Sequence, residues 1–216
     1  MKNKSWNELY KNDILRNGGY QTYYNKKVRY RLKFLKKVMK YSKNKVVLEA
    51  GCGTGVNSIY FASHYYNSYA VDCSQKMLDL VGDIASSVEV PCPHLVKEDI
   101  FKLHKHFKDD ELDVIYSIGV YEHYDDIKIQ KLLISQLKIS KYVFIGVPTR
   151  YFNDDEKLYG NERFLKLSFW RRLIISTDCK IVEEFSCHND SFFKRIRKYK
   201  KWFKPAPIHV FVVKKL

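Results

Sequence analysis

At 216 residues and 45% hydrophobic content, the chain is long enough for one domain with a real core, and no apolar run approaches the length that spans a bilayer. Its five cysteines, at 52, 73, 92, 179 and 187, include no Cys-x-x-Cys pair, which excludes a zinc knuckle or a dithiol redox motif. The formal charge of +15 divides unevenly: about +12 in residues 1–45, about +9 in 194–216 and about −6 between them, so an acidic body carries two basic flanks.

In chain order, Met1-Lys2-Asn3-Lys4 lacks a signal-peptide segment, and with scattered cysteines this suits a reducing cytoplasm. Residues 5–24 set Trp6, Tyr10, Tyr20, Tyr23 and Tyr24 around Gly18-Gly19, a pattern for a short helix, a turn and a second entry. Val28, Leu32, Leu35 and Met39 recur at helical spacing, which predicts an amphipathic helix over 25–41 with a Lys/Arg outer face. The β-branched run Val46-Val47-Leu48-Glu49-Ala50 then feeds Gly51-Cys52-Gly53-Thr54-Gly55. Beyond it the patterns predict helix 54–65, strand 68–72, helix 75–87, strand 94–98, strand 112–118, helix 125–138 and strand 142–147. That alternation implies a parallel sheet. The continuously apolar strand Tyr142-Val143-Phe144-Ile145-Gly146-Val147 suits burial on both faces.

Pro148 ends that strand, and residues 149–166 lose periodicity. Their aromatic and charged side chains fit a substrate contact or a solvated connection equally well. Helix 168–176, strand 180–186 and strand 208–214 follow. Between the last two, Phe192, Phe193, Tyr199, Trp202 and Phe203 interleave with seven basic residues from Lys194 to Lys204. Such a mixture suits phosphate contact with stacking, and equally a basic amphipathic helix on the sheet edge.

Glycines between a strand and a helix allow positive φ and bring a ligand close to the backbone, and the helix they open offers unpaired N–H groups to an anion. A dinucleotide turn wants Gly-x-Gly-x-x-Gly/Ala, but Val56 stands at the third position. What remains, Glu49-x-Gly51-x-Gly53-x-Gly55, resembles motif I of the class I S-adenosylmethionine-dependent methyltransferases. Asp72 ends the next strand, Asp99-Ile100 follows the third, and Ser117 ends the fourth before Val120-Tyr121-Glu122-His123, which resembles that family's "leu-glu-his" motif. The resemblance covers roughly residues 45–148.

The resemblance implies a Rossmann-like α/β fold: a seven-stranded, mostly parallel sheet with an antiparallel C-terminal hairpin, helices on both faces and an N-terminal helical lid. It implies one domain over 1–216, with a basic lid (1–45), a cofactor-binding core (46–148) and a part carrying substrate loop, hairpin and basic insertion (149–216). It implies S-adenosyl-L-methionine bound by Glu49, Gly51, Gly53 and Gly55, with Asp72 on the ribose, Cys73 beside it, Asp99 and the Ile100 backbone on the adenine, and Ser117 at the neighbouring strand end. Tyr20, with Tyr23 and Tyr24, would orient acceptor or cofactor, and His123 is the candidate general base. Metal-dependent relatives place an acid three residues before the glutamate; Gly119 stands there, so no metal is expected.

The expected activity is methylation of an oxygen or nitrogen of a small, anionic metabolite, with both basic flanks bordering the substrate mouth and no membrane partner. Two alternatives remain. One is methylation of RNA or another nucleic acid, although Ser117-Ile118-Gly119-Val120 replaces the Asn/Asp-Pro-Pro-aromatic motif of base-amino methyltransferases. The other is a fold that binds the cofactor without transferring methyl.

Overall fold

The computed structural model describes residues 6–149, 161–187 and 208–216. Strands β1 (Val46–Ala50), β2 (Asn67–Asp72), β3 (His94–Lys97), β4 (Leu112–Ile118) and β5 (Ser140–Pro148) run parallel. The chain returns through β6 (Cys179–Ser186) and β7 (Ile208–Lys215), and β7 lies antiparallel to both β5 and β6. The order is β3-β2-β1-β4-β5-β7-β6, the seven-stranded sheet with an antiparallel end that the resemblance implies. Among the described residues six α-helices accompany it: α1 (Trp6–Arg16), α2 (Tyr20–Tyr41), α3 (Val56–Ser63), α4 (Gln75–Ser87), α5 (Asp126–Ile139) and α6 (Leu167–Ile175).

Side chains alternate across a strand, and β1 shows how that alternation builds two cores. Leu48 and Ala50 face α5 and α6, packing in a cluster with Ile115, Leu133, Val143, Trp170 and Phe211. Val47 faces the other way, where Phe34, Leu35 and Val38 of α2 pack with Val114, Tyr116, Phe144 and Val212. Each apolar side chain fully buried in this way contributes about 1.5–3 kcal/mol. Beside that second cluster, α1, α3 and α4 form a third around Ile14, Tyr23, Val56, Met77 and Val81.

The boundaries depart from expectation in places that have physical causes. Helix α2 begins at Tyr20 rather than at 25, because Gly19 at φ 88° supplies the break that starts it and Tyr23 and Tyr24 are buried in its first turns. Most of α2 is therefore a layer of the core, and α1 alone lies over the strand ends as a lid. Helix α3 is shorter than 54–65, since Thr54 and Gly55 belong to the turn before it and His64 caps its end. Short 3-10 turns at Ile100–Lys105 and Tyr121–His123 carry no periodic signal in the sequence.

The basic flank on α2 is placed differently from expectation as well. Lys37 pairs with Glu183 of β6, and Lys33 and Lys37 sit by the Phe185 ring. Lys33, Lys36, Lys37 and Lys40 thus lie on the C-terminal half of α2, with Lys33 and Lys37 against β6 at the sheet edge, four places along the strand order from β1 and its glycine turn. The corresponding residues 194–204, and the loop 150–160, lie outside the described residues. No helix among the described residues is long and apolar enough to cross a membrane.

At the amino ends of β1 and β4 one buried carboxylate ties the layers together. Asp113, 1% exposed, accepts from Asn44 N at 2.6 Å, Asn44 Nδ2 at 3.2 Å, Val46 N at 3.3 Å and Lys141 Nζ at 2.8 Å. Asp113→Ala leaves those backbone donors without an acceptor, and a loss of about 1–3 kcal/mol is expected, read as a lower urea midpoint at unchanged slope.

Candidate functional site

Ligands of open α/β sheets sit beyond the carboxyl ends of the strands, where the strand order reverses. Here that point is the junction of β1 and β4, and the turn Gly51–Gly55 leaves β1 there. Gly55 stands at φ 61° as the residue before α3, and a Cβ on it would come within 2.6 Å of a Val81 methyl. That glycine is required by both backbone and packing. Gly53, at φ 53°, differs: the atoms nearest to a Cβ there would be those of Tyr10, 3.2 Å away at its hydroxyl and 3.3 Å at its ring. A side chain, not backbone, therefore covers the bare face of the turn.

Glu49 lies behind that turn and is 4% exposed. One carboxylate oxygen accepts from Asn57 Nδ2; the other accepts from Ser58 N at 3.2 Å and Ser58 Oγ at 2.7 Å. Arg31 donates to Asn57 Oδ1 at 3.2 Å. Burial pushes the Glu49 carboxyl up, against the opposing pull of Ser58, Arg31 and Asn57. Its geometry is that of a residue fixing the first turn of α3 to β1, with its oxygens turned toward that helix.

Asp72 closes the other wall of the turn. It accepts from Gly53 N at 3.2 Å and Ser74 N at 3.0 Å, one bond to each oxygen, which leaves further lone pairs on both. Burial raises its pKa, and those two backbone bonds oppose the rise. Asp99 is exposed, and its side chain accepts from Phe101 N at 3.0 Å; Ile100 beside it is buried. Cys73 is exposed beyond the strand end, whereas Cys52 within the turn is buried. Ser117 is enclosed too, 1% exposed, and its hydroxyl has no partner among the described residues.

Tyr20, Tyr23 and Tyr24 turn into the cluster of α1, α3 and α4, not over the turn where the lid was expected to place them. Tyr10 takes that position. Its ring stacks on Trp6 at 5.9 Å, and Trp6 meets the His123 ring edge-on at 5.8 Å and 89°. Trp6 and Tyr10 are one helical turn apart and share a face of α1, the signal that could have singled them out.

His123 sits on the turn after β4, and its Nδ1 is 2.8 Å from Asn161 Oδ1. An amide oxygen only accepts, so a hydrogen bond between the two requires the Nδ1–H form of the ring. Residues 161–163 are clamped over this turn: Arg163 donates from its backbone to Glu122 O at 3.1 Å, from Nη1 to Tyr124 O at 2.8 Å and from Nη2 to Asp126 Oδ1 at 2.7 Å. Glu122 is enclosed beneath, its Oε1 3.5 Å from where a Cβ on Gly119 would sit. Gly119 has φ 78°, so the acid of the metal-dependent pattern is replaced by a residue the backbone itself demands.

Residues 47–139, from β1 through α5, match a family described as a methyltransferase domain. Over this region, which is less than half of its 216 residues, the chain is similar to methyltransferases. Its fold is shared with magnesium protoporphyrin IX methyltransferase from Synechocystis PCC 6803, solved with bound SAM, at a TM-score of 0.62 and 15% identity over 94% of this chain and 83% of that one. An S-adenosylmethionine-dependent methyltransferase from Clostridium acetobutylicum ATCC 824 superposes at 0.63 with 16% identity, covering 96% of each chain. One from Aquifex aeolicus does so at 0.59 and 14%, over 83% of this chain and 88% of that one. None of the curated proteins matches the chain by sequence. The site fits S-adenosylmethionine: a turn of bare backbone, a helix amino end and a carboxylate with lone pairs to offer meet at one strand edge.

Glu122 gives this domain a pH-dependent stability. Burial pushes its carboxyl up to about 8, against a hydrogen bond from its own backbone, and the Glu162 charge adds to the rise. The folded state therefore holds a proton that the unfolded chain releases near pH 4.5, so stability is full below that value. It falls by about 1.4 kcal/mol per pH unit as pH rises to about 8, then levels. Glu122→Gln keeps the shape and removes the ionisation, and its urea midpoint should decline less across this window than that of the wild type.

Proposed function

We propose that the chain transfers the methyl group of S-adenosylmethionine to an oxygen or nitrogen of a small, anionic metabolite, with His123 as general base. One observation carries this reading: with Nδ1 donating to Asn161, the lone pair of His123 lies on Nε2. The ring stands beyond β4, the strand that adjoins the glycine-turn strand β1. An acceptor hydroxyl or ammonium must lose a proton to become nucleophilic, and a positioned imidazole serves that need.

The cofactor, when bound, supplies a methyl group made electrophilic by its sulfonium. Gly51, Gly53 and Gly55 with the amino end of α3 would hold its amino-acid end, Asp72 its ribose, Asp99 and the Ile100 backbone its adenine, with Cys73 at the rim. Glu49 and Ser117, both enclosed, serve by shaping the strand ends. Methyl transfer is an in-line displacement, so the chain contributes mainly alignment and proximity. Trp6 and Tyr10 keep water from that space. The net positive charge of the whole chain, +15, supports an anionic acceptor through long-range attraction.

Two substitutions separate the binding and chemical parts of this reading. Asp72→Ala should weaken S-adenosylhomocysteine binding by about 1–3 kcal/mol, roughly 5- to 150-fold; an unchanged calorimetric affinity removes Asp72 from the site. His123→Ala should keep that affinity and slow methyl transfer by roughly 10²–10⁴. Transfer is followed by mass spectrometry of a metabolite extract incubated with isotopically labelled cofactor. Label appearing in RNA, with a steep salt dependence of binding, would replace the small acceptor with a nucleic acid.

A further inference from the structure

We propose that Asn161 is the positioning residue of His123, holding its imidazole as the Nδ1–H tautomer so that Nε2 is the bare nitrogen. This rests on the reading of His123 as the base and specifies how the chain prepares it. A neutral imidazole carries one proton on either nitrogen, and the partner at one nitrogen decides the state of the other. Among the described residues, the acceptor the structure gives Nδ1 is the Asn161 amide oxygen at 2.8 Å.

Three features make this contact a built one. Asn161 lies two residues before Arg163, whose three hydrogen bonds to Glu122, Tyr124 and Asp126 fasten the segment onto the very turn that carries His123. The Arg163 guanidinium also lies over the Phe169 ring at 5.7 Å, which holds it from the α6 side. The Trp6 ring meets the imidazole edge-on, so a rotation of the histidine ring would break a packing contact as well as a hydrogen bond. When Nε2 takes a proton from the acceptor, Nδ1 keeps its own, and the Asn161 oxygen faces the resulting imidazolium. The amide thus serves both states of the ring without itself changing protonation.

The test reads the tautomer directly, with no need to know the acceptor. In the full chain labelled with ring-¹⁵N histidine, long-range ¹H–¹⁵N spectra distinguish protonated from bare ring nitrogens, and loss of a signal set in His123→Gln identifies His123. The wild type should show a protonated Nδ1 and a bare Nε2 in the neutral ring. Asn161→Leu should move the proton to Nε2, the form free histidine prefers, and Asn161→Asp should return it to Nδ1. In the metabolite assay Asn161→Leu should slow transfer roughly 10-fold or more at unchanged affinity for S-adenosylhomocysteine.

A wild-type ring protonated on Nε2 overturns the proposal, as does an Asn161→Leu protein with an unaltered tautomer. A fall in S-adenosylhomocysteine affinity in that variant also counts against it, because Asn161 would then act through the whole site. If Asn161→Leu does not fold, the wild-type and Asn161→Asp spectra still decide. Should the tautomers behave as expected while His123→Ala transfers methyl at the wild-type rate, the positioning stands and the base reading falls.

Discussion

A buried carboxylate beneath a glycine turn is the constraint on which this site depends. Glu49 could not remain enclosed without partners, because a desolvated charge left unpaired costs several kcal/mol. Its partners are the side chains of Asn57 and Ser58 and the Ser58 N–H, all in the first turn of α3. Ser58 in turn lies 3.3 Å from the Tyr116 hydroxyl of β4. Satisfying one acid thus joins β1, α3 and β4 at the point where the strand order reverses. The turn between β1 and α3 has both ends tied, and its backbone conformation is set before any ligand arrives. Arg31 extends the same network to α2, linking the helix that covers the sheet to the loop at its edge.

The opposite wall is built by a different device. The turn Tyr121–His123 has little regular structure of its own and is fixed from both sides. Tyr121 is buried, with its hydroxyl donating to Gln136 Oε1 at 2.8 Å. From above, Arg163 gathers the Glu122 carbonyl of the turn, the Tyr124 carbonyl just after it and the Asp126 carboxylate at the start of α5. Alignment of reacting groups is the larger part of what a methyl-transferring chain can supply. A histidine on an unsupported loop could not give it; one held between a buried tyrosine and a clamped strand exit can.

How much of this was readable in advance follows from range. Strands β1, β2, β4 and β5 announce themselves through apolar runs, and the glycine turn through its spacing, because both signals are local. The antiparallel placement of β7 came with the family resemblance. What escaped detection depends on contacts between distant residues. Asn161 meets His123 across 38 positions, in a stretch with no periodicity, so no pattern could mark it. Tyr10 reaches Gly53, and its role belongs to a fold of α1 that composition does not encode. Three tyrosines of α2 attracted attention as a cluster, yet two of them are core residues, since an aromatic at helical spacing is most often buried. The basic face of α2 looked like a mouth, but a helix of 22 residues extends about 33 Å, and its lysines beside β6 belong to the far end.

Helix α1 touches both walls at once. Tyr10 rests on Gly53 while Trp6 rests on Tyr10 and on His123, and the helix joins the body through Gly18 and Gly19, both at positive φ. Whatever comes to occupy the face of Gly53 must first shift Tyr10, and Trp6 stands one helical turn away on the same rigid piece. The two walls of the crevice thus share one cover, and a shift of α1 that bares Gly53 also strips the Trp6 ring from His123.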